Sequence, residues 1–203
     1  MKYLELREAL KSFPLFSILD IKKRFPDFDQ RRLVEWQGKG YISKIRRGYY
    51  RFSEQKINEN YLYHAANTMY APSYVSLESA LSYYGLIPEG VFLITSVTTR
   101  NTSNHETSIG TFAYKHIKTN LFFGYKLIKE QDWFFKIAEP EKAILDFFYF
   151  RGIQSLEEIE GLRINSDQMN KYLDFDKLGK YQKIFNSQVV NRRVDLLKIE
   201  INA

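Results

Sequence analysis

Eight polar side chains within the first 51 residues have the chemistry needed to bind DNA. Arginine can donate two hydrogen bonds to guanine, and glutamine can form two with adenine. Gln30, Arg31 and Arg32 stand at the beginning of a predicted helix and are therefore candidates for reading base edges. Cations that contact phosphates position a protein on DNA without reading its sequence. The candidates for phosphate contact are Lys39, Lys44, Arg46, Arg47 and Arg51.

The charge distribution concentrates basic residues at the start of the chain. The 203 residues have a net charge of +6. Residues 1 to 60 hold 14 Lys and Arg against 8 Asp and Glu, whereas residues 61 to 203 hold 16 of each kind. A local basic excess is typical of a surface that meets nucleic-acid phosphates. An acidic protein, membrane headgroups or a merely solvated face are the alternatives.

Two short helices are predicted before the first candidate residues. Apolar residues at helical spacing predict a first helix over residues 3 to 12. Ser17 and Asp20 match a capping box, so a second helix is expected from near Ile18. This helix should end before Pro26, because proline lacks the amide donor and restricts the residue that precedes it.

A third helix is predicted to carry the base-reading candidates. Asp29 is its expected cap, with Asp27 as a competing choice, and it runs to about Gln37. Leu33 and Trp36 should share a buried face. Residues spaced by four should line the opposite, mostly basic face, and they are Arg31, Glu35 and Lys39. A simple ion pair between Arg31 and Glu35 is the alternative use of these charges.

A hairpin is expected to follow the third helix. The runs Tyr41 to Ile45 and Tyr49 to Phe52 are rich in β-forming residues, and Arg46-Arg47-Gly48 joins them. Three short helices followed by such a hairpin are typical of a winged helix-turn-helix, whose third helix enters the major groove while the hairpin rests on the DNA backbone. Residues 1 to 56 are therefore predicted to form a DNA-binding domain.

Residues 57 to 203 are predicted to form an α+β domain with a helical C-terminal tail. Helices are expected over Asn58 to Tyr70 and over Ser76 to Tyr84, with Ser76 as a cap. An antiparallel sheet is expected from the β-rich runs Val91 to Thr98, Thr111 to Lys118, Leu121 to Ile128 and Trp133 to Ala138. The polar segment Arg100 to Ser108 should be a mobile loop.

An apolar helix and a tail complete the predicted second domain. Glu139-Pro140 opens a helix over Ala143 to Phe150, in which Lys142 and Asp146 are expected to form an ordinary pair one turn apart. After Arg151 the pattern predicts several short helices. They either complete the core of this domain or form a surface for a partner.

Several short motifs resemble the AbiEi antitoxins of type IV abortive-infection toxin-antitoxin systems. Their order and spacing match over most of residues 3 to 150. The motifs are Gly40-Tyr41-Ile42, Arg46-Arg47-Gly48-Tyr49-Tyr50, Ser76-Leu77-Glu78-Ser79-Ala80-Leu81, Tyr84-Gly85-Leu86-Ile87-Pro88 and Ile137-Ala138-Glu139-Pro140-Glu141-Lys142-Ala143-Ile144-Leu145-Asp146. No family motif matches the tail.

The resemblance implies an autorepressor with two activities. The amino-terminal winged helix would bind double-stranded promoter DNA, for which we expect inverted repeats. The second domain would counter a nucleotidyltransferase-like toxin, and whether it touches that toxin directly stays open. The alternative is a free-standing winged-helix regulator whose second domain senses or binds something else.

Enzymes and membrane proteins are disfavoured by the sequence. The phosphate-binding, dinucleotide-binding and zinc-protease motifs are absent, and the three histidines lie far apart in the sequence. The acidic residues Glu157, Glu158 and Glu160 could hold Mg²⁺, but at a helix start they more often complement its dipole. We expect no catalytic residue, metal site or cofactor. With no export signal, membrane span or cysteine, a cytoplasmic location is predicted.

Overall fold

The computed structural model describes residues 1 to 88, 90 and 93 to 201. It is a mixed α+β structure. The first 56 residues contain α1 (Tyr3–Leu10), β1 (Phe16–Ser17), α2 (Ile18–Arg24), α3 (Arg31–Gly38), β2 (Ile42–Arg46) and β3 (Tyr49–Phe52). The three strands form an antiparallel sheet in the order β1-β3-β2.

Local sequence signals explain where α2 and α3 begin. The Ser17 hydroxyl accepts a hydrogen bond from the backbone amide of Asp20, and the Asp20 carboxylate accepts one from the backbone amide of Ser17 at 2.8 Å. These two bonds confirm the predicted capping box. The Asp29 carboxylate accepts the amide of Arg31 at 3.0 Å. Gln30 lies between them in helical conformation, so α3 begins at Arg31.

The rest of the chain forms a second sheet surrounded by helices. Its elements are α4 (Glu59–Met69), β4 (Ser73–Val75), α5 (Leu77–Tyr83), β5 (Leu93–Thr98), β6 (Ser103–Thr107), β7 (Gly110–His116), β8 (Tyr125–Glu130), β9 (Trp133–Ala138), α6 (Pro140–Phe150), α7 (Leu156–Glu160), α8 (Ser166–Tyr172), α9 (Phe175–Phe185) and α10 (Gln188–Ile201). A single 3₁₀ turn, Thr119–Leu121, precedes β8. The six strands lie in the order β6-β7-β5-β4-β9-β8.

The second sheet is mixed rather than antiparallel as predicted. Strand β5 pairs with β7 in parallel, and β4 pairs with β9 in parallel at Val75 and Ile137. The sequence did not reveal β4, because it is three residues long and a single residue, Ser76, separates it from α5. This central strand brings β5 and β9 into one sheet, so the four predicted runs do not pair in simple sequence order.

Two of the predicted strand and loop boundaries also differ. The segment expected to be a mobile loop contains β6, which pairs with β7 over Ser103 to Thr107. Its polar sequence fits an edge strand, since such strands need little apolar alternation. The run predicted from Leu121 contains the 3₁₀ turn, and strand β8 begins only at Tyr125. Val91 and Phe92, which we included in a strand, lie outside the described residues.

The buried hydrophobic side chains form two clusters. We call residues 1 to 56 the first part of the molecule and the described residues from 57 onward the second part. The smaller cluster joins all six elements of the first part, and the larger one fills the second part. The C-terminal helices belong to the larger cluster through Ile159, Met169, Leu178, Val194 and Leu197, among other residues. The tail therefore completes this core, which was one of the two predicted roles. No helix in the described ranges is long and apolar enough to cross a bilayer.

A buried ion pair connects α6 to the centre of the second sheet. Lys142 and Asp146 are paired as expected, but both side chains are fully buried. The Asp146 carboxylate also accepts hydrogen bonds from the hydroxyls of Tyr74, at 2.9 Å, and Ser76, at 2.8 Å. Ser76 therefore does not cap α5 with its side chain, as we predicted, because its hydroxyl donates to Asp146.

Burial and hydrogen bonding shift the pKa values of Lys142 and Asp146 in opposite directions. Desolvation lowers the pKa of Lys142 and raises the pKa of Asp146, because burial disfavours both charged forms. The contact between the two groups and the hydroxyl donors to Asp146 oppose those shifts. Removing either partner would leave the other without its counter-charge in the core.

We predict that Lys142→Met and Asp146→Leu, made singly, each lower the free energy of unfolding by about 3 to 5 kcal/mol. The double variant should lose much less than the sum, because no uncompensated charge then stays buried. Urea denaturation measures all three. The control is Lys11→Met, which breaks an exposed pair with Glu8 and should change stability by less than about 1 kcal/mol. Additive losses in the double variant would contradict this interpretation.

Candidate nucleic-acid interface

Aromatic packing fixes the orientation of α3. Leu33 and Trp36 are each 3% exposed, as predicted. Phe28 stacks on Trp36 with ring centroids 5.9 Å apart, and Tyr3 meets the same indole edge-on at 5.9 Å. Because a helix has one buried face here, the opposite face of α3 is turned to solvent.

The base-reading candidates lie on the exposed side of this segment. Gln30, Arg31 and Arg32 are all exposed. The Arg31 side chain is 91% exposed, and that of Arg32 is 49% exposed. The side chain of Gln30 does not cap the helix. All three side chains are therefore accessible to a ligand, and Arg31 lies on the exposed face as its helical spacing predicted.

Two carboxylates pair with the cations of α3 and with Lys39, the residue that follows it. Arg31 reaches back to Asp29 at 2.8 Å, whereas Glu35 pairs with Arg32 at 2.8 Å and with Lys39 at 2.7 Å. The alternative pair between Arg31 and Glu35 does not form, since Arg31 instead contacts Asp29, two residues before the start of its own helix. Hydrogen bonds from these cations lower the pKa of Asp29 and of Glu35.

These ion pairs can be displaced by a ligand that accepts hydrogen bonds. All five of these side chains remain accessible, so solvent weakens the pairs and a ligand can compete for the cations. A phosphate or base edge would replace a carboxylate as the hydrogen-bond acceptor. Helical spacing could suggest that Glu35 pairs with Lys39, four residues later. It could not show that Arg31 pairs with Asp29, because that contact depends on the turn before α3.

The hairpin presents two of the predicted phosphate contacts to solvent. Strands β2 and β3 meet at a tight turn in which Gly48 has φ +86°, a conformation that glycine adopts readily. Arg47, in this turn, and Lys44, on β2, are both exposed. The register shifts between Lys44 and Arg46, which leaves Ile45 in a bulge.

Arg46 and Arg51 are held differently from the other candidates. The guanidinium of Arg51 donates to the carbonyls of Phe52, Ser53 and Gln55, the last at 2.8 Å. Arg46 is half-buried, and its charge lowers the pKa of His105, after the larger effect of burial. Both arginines therefore face protein groups with part of their side chains, which sequence spacing alone could not reveal.

The bulge in the hairpin contacts the second part of the molecule. Ile45 is 4% exposed and belongs to the larger hydrophobic cluster. The Ser108 hydroxyl, in the turn between β6 and β7, donates to the Lys44 carbonyl at 3.0 Å. In a second contact between the two parts, the Tyr61 hydroxyl donates to the Pro14 carbonyl at 3.1 Å. The hairpin is thus braced by both cores.

The other candidate groups have local partners. His64 binds the Phe134 carbonyl at 2.8 Å through Nδ1. Glu157 and Glu158 lie in the first turn of α7, where they complement its dipole as expected. Within the described ranges, no group of three or more His, Cys, Asp or Glu side chains is arranged to hold a metal ion.

Comparison with known proteins adds no relative to these observations. No protein-family model matches the chain, and no curated protein matches it.

We predict that Arg51→Gln and Arg47→Gln have different effects on stability. Loss of the charge-assisted bonds made by Arg51 should lower the free energy of unfolding by about 1 to 3 kcal/mol. Arg47 is exposed in the turn, so its replacement should change stability by less than about 0.5 kcal/mol. Chemical denaturation followed by circular dichroism compares the two variants. Equal losses of unfolding free energy in the two variants would show that the hydrogen bonds of Arg51 to the three carbonyls do not stabilise the fold.

Proposed function

We propose that this chain is a DNA-binding transcriptional regulator whose residues 1 to 56 act as a winged helix-turn-helix. The order of α1, α2, α3 and the β2-β3 hairpin agrees with that architecture. In this proposal α3 enters the major groove of double-stranded DNA, and the hairpin rests on the backbone. The observation that carries it is the pair of exposed arginines at the start of α3, opposite a buried aromatic anchor.

The accessible side chains divide between the two kinds of DNA contact. Gln30, Arg31 and Arg32 would read base edges. Lys39, Lys44 and Arg47 are exposed and would contact phosphates. Arg46 and Arg51 stay in the predicted set, but the proposal does not depend on them, because their guanidinium groups already contact protein or lie partly buried.

The sequence resemblance extends this proposal to an autorepressor and antitoxin. The first part would bind inverted repeats in its own promoter, and the second part would counter a nucleotidyltransferase-like toxin. Two features support a division of labour. The basic excess lies wholly in residues 1 to 60, and the second part supplies all of the larger hydrophobic cluster except Leu15 and Ile45.

A free-standing regulator is the second candidate. It would use the same winged helix-turn-helix, with a second part that senses or binds something other than a toxin. The neighbouring gene separates the two candidates. A nucleotidyltransferase reading frame beside this gene supports the antitoxin, and a solitary gene supports the free-standing regulator.

We predict that Arg47→Ala makes DNA binding less sensitive to salt. Each phosphate contact contributes about 0.9 to the slope of log affinity against log salt concentration, so the slope should fall by about that amount. Fluorescence anisotropy with the duplex upstream of the gene measures it. Lys183→Ala, which removes an exposed cation of α9, is the control and should keep the wild-type slope. An unchanged slope in Arg47→Ala would show that the hairpin tip does not contact the DNA backbone.

We also predict that repression and toxin protection can be separated. The triple variant Arg31→Ala, Arg32→Ala, Arg47→Ala should lose repression and keep protection, because it spares Arg46 and the contacts with the second part. A promoter reporter and growth of toxin-expressing cells measure the two activities side by side. If the triple variant, shown to be folded by circular dichroism, lost both together, the proposed division of labour would be wrong.

A further inference from the structure

The exposed face of α3 carries a valine that does little for the free protein. Val34 is 72% exposed, more than any other exposed large hydrophobic side chain in the described ranges. A β-branched side chain loses rotamer freedom in a helix, so valine is a weaker helix former than alanine or lysine. Because it also buries little surface here, Val34 contributes little to folding.

A glycine lies one turn further along the same face. Gly38 follows Val34 by four residues, and a Cβ at Gly38 would meet no atom within 4 Å. The left-handed residue that follows the helix is Gly40, with φ +70°, so Gly38 is not needed for that conformation. Neither packing nor backbone geometry calls for glycine at residue 38. A missing side chain does, however, let another molecule approach the helix closely.

These two positions point to contact with another molecule. A single exposed apolar residue is common on protein surfaces and needs no explanation alone. Here two neighbouring positions both depart from what helix stability favours. Departures of this kind are expected where a surface is shaped for function. The highly exposed Arg31 precedes Val34 by three residues, so a polar group adjoins the apolar one on this face.

The chemistry of the major groove identifies a matching group. Thymine presents a C5 methyl there, which an apolar side chain can contact and which the other three bases lack. The two methyls of Val34 are held in few rotamers within a helix, so they present a fixed apolar surface. The arginines at the start of the same helix would instead contact polar base edges.

We infer that Val34 is a specificity-determining residue that contacts the C5 methyl of a thymine, while Gly38 leaves room for the base pair. This inference rests on the proposed function, because it requires α3 to lie in the major groove. It assigns an A·T pair to a fixed position of the bound site.

The experiment first obtains its own probe. The full-length chain selects duplexes from a random library, and anisotropy measures affinity for the best duplex. Each thymine of that duplex is then replaced in turn by deoxyuridine, which keeps the base pair and lacks the methyl. Burying one methylene-sized group contributes about 0.8 kcal/mol, which corresponds to about fourfold in affinity. For each α3 helix bound to the duplex, we expect deoxyuridine at one thymine position to lower the affinity by about fourfold.

Variants connect the loss to Val34. Val34→Ala should weaken binding to the thymine duplex and abolish the difference between thymine and deoxyuridine at that position. Val34→Thr keeps one methyl and should retain part of the difference. Val189→Ala is the matched control, since Val189 is an exposed valine of α10 and its replacement should leave the full difference. Gly38→Ala should raise thermal stability and lower affinity for the duplex.

The outcomes distinguish this inference from the proposed function. If the chain selects no duplex, both fail. If it selects a duplex but no deoxyuridine substitution weakens binding, DNA binding stands and the thymine contact is overturned. A loss of equal size in wild type and Val34→Ala also overturns it, because the methyl would then be read by another residue.

Discussion

The burial of Trp36 is the constraint on which the proposed interface depends. Its indole packs against Phe28 and Tyr3, within a cluster of ten buried side chains. In so small a core, one large side chain fixes the rotation of its helix. Since α3 cannot turn without exposing Trp36, Arg31 and Val34 must face solvent. The surface chemistry of α3 thus follows from its packing.

The hairpin is subject to a second constraint, because it contributes to both clusters. Tyr50 and Phe52 of β3 pack in the smaller cluster, whereas Ile45 of β2 packs in the larger one. The bulge at Ile45 allows this division, since an extra residue bends a strand and re-aims its side chain. Hydrogen bonds from Ser108 then hold the bulge from outside. The position of Arg47 therefore depends on both parts of the molecule.

Local signals in the sequence predicted much of the first part. Ser17 and Asp20 predicted the start of α2, and the spacing of Leu33 and Trp36 predicted the buried face of α3. The sequence did not predict β1, which has only two residues, or the parallel pairings around β4. Both depend on contacts between residues far apart in the chain. The pattern that placed Lys142 beside Asp146 likewise did not show that both are buried.

The same limit applies to the candidate interface. Helical spacing predicted that Arg31 lies on the exposed face of α3. It did not distinguish Arg47, which is free in the turn, from Arg51, whose guanidinium binds three carbonyls. Those carbonyls lie one, two and four residues further along, and they converge on Arg51 because the chain turns after β3.

Site-directed disulfide trapping tests most directly whether α3 lies in the major groove. The chain contains no cysteine, so Gln30→Cys introduces a unique thiol at the start of α3. The partner is a selected duplex with a thiol tethered to a base edge in the major groove. Gln154→Cys, an exposed glutamine position in the second part, is the comparison. We predict a crosslink from residue 30 and none from residue 154. Equal trapping at both, or trapping at residue 154 alone, would contradict it.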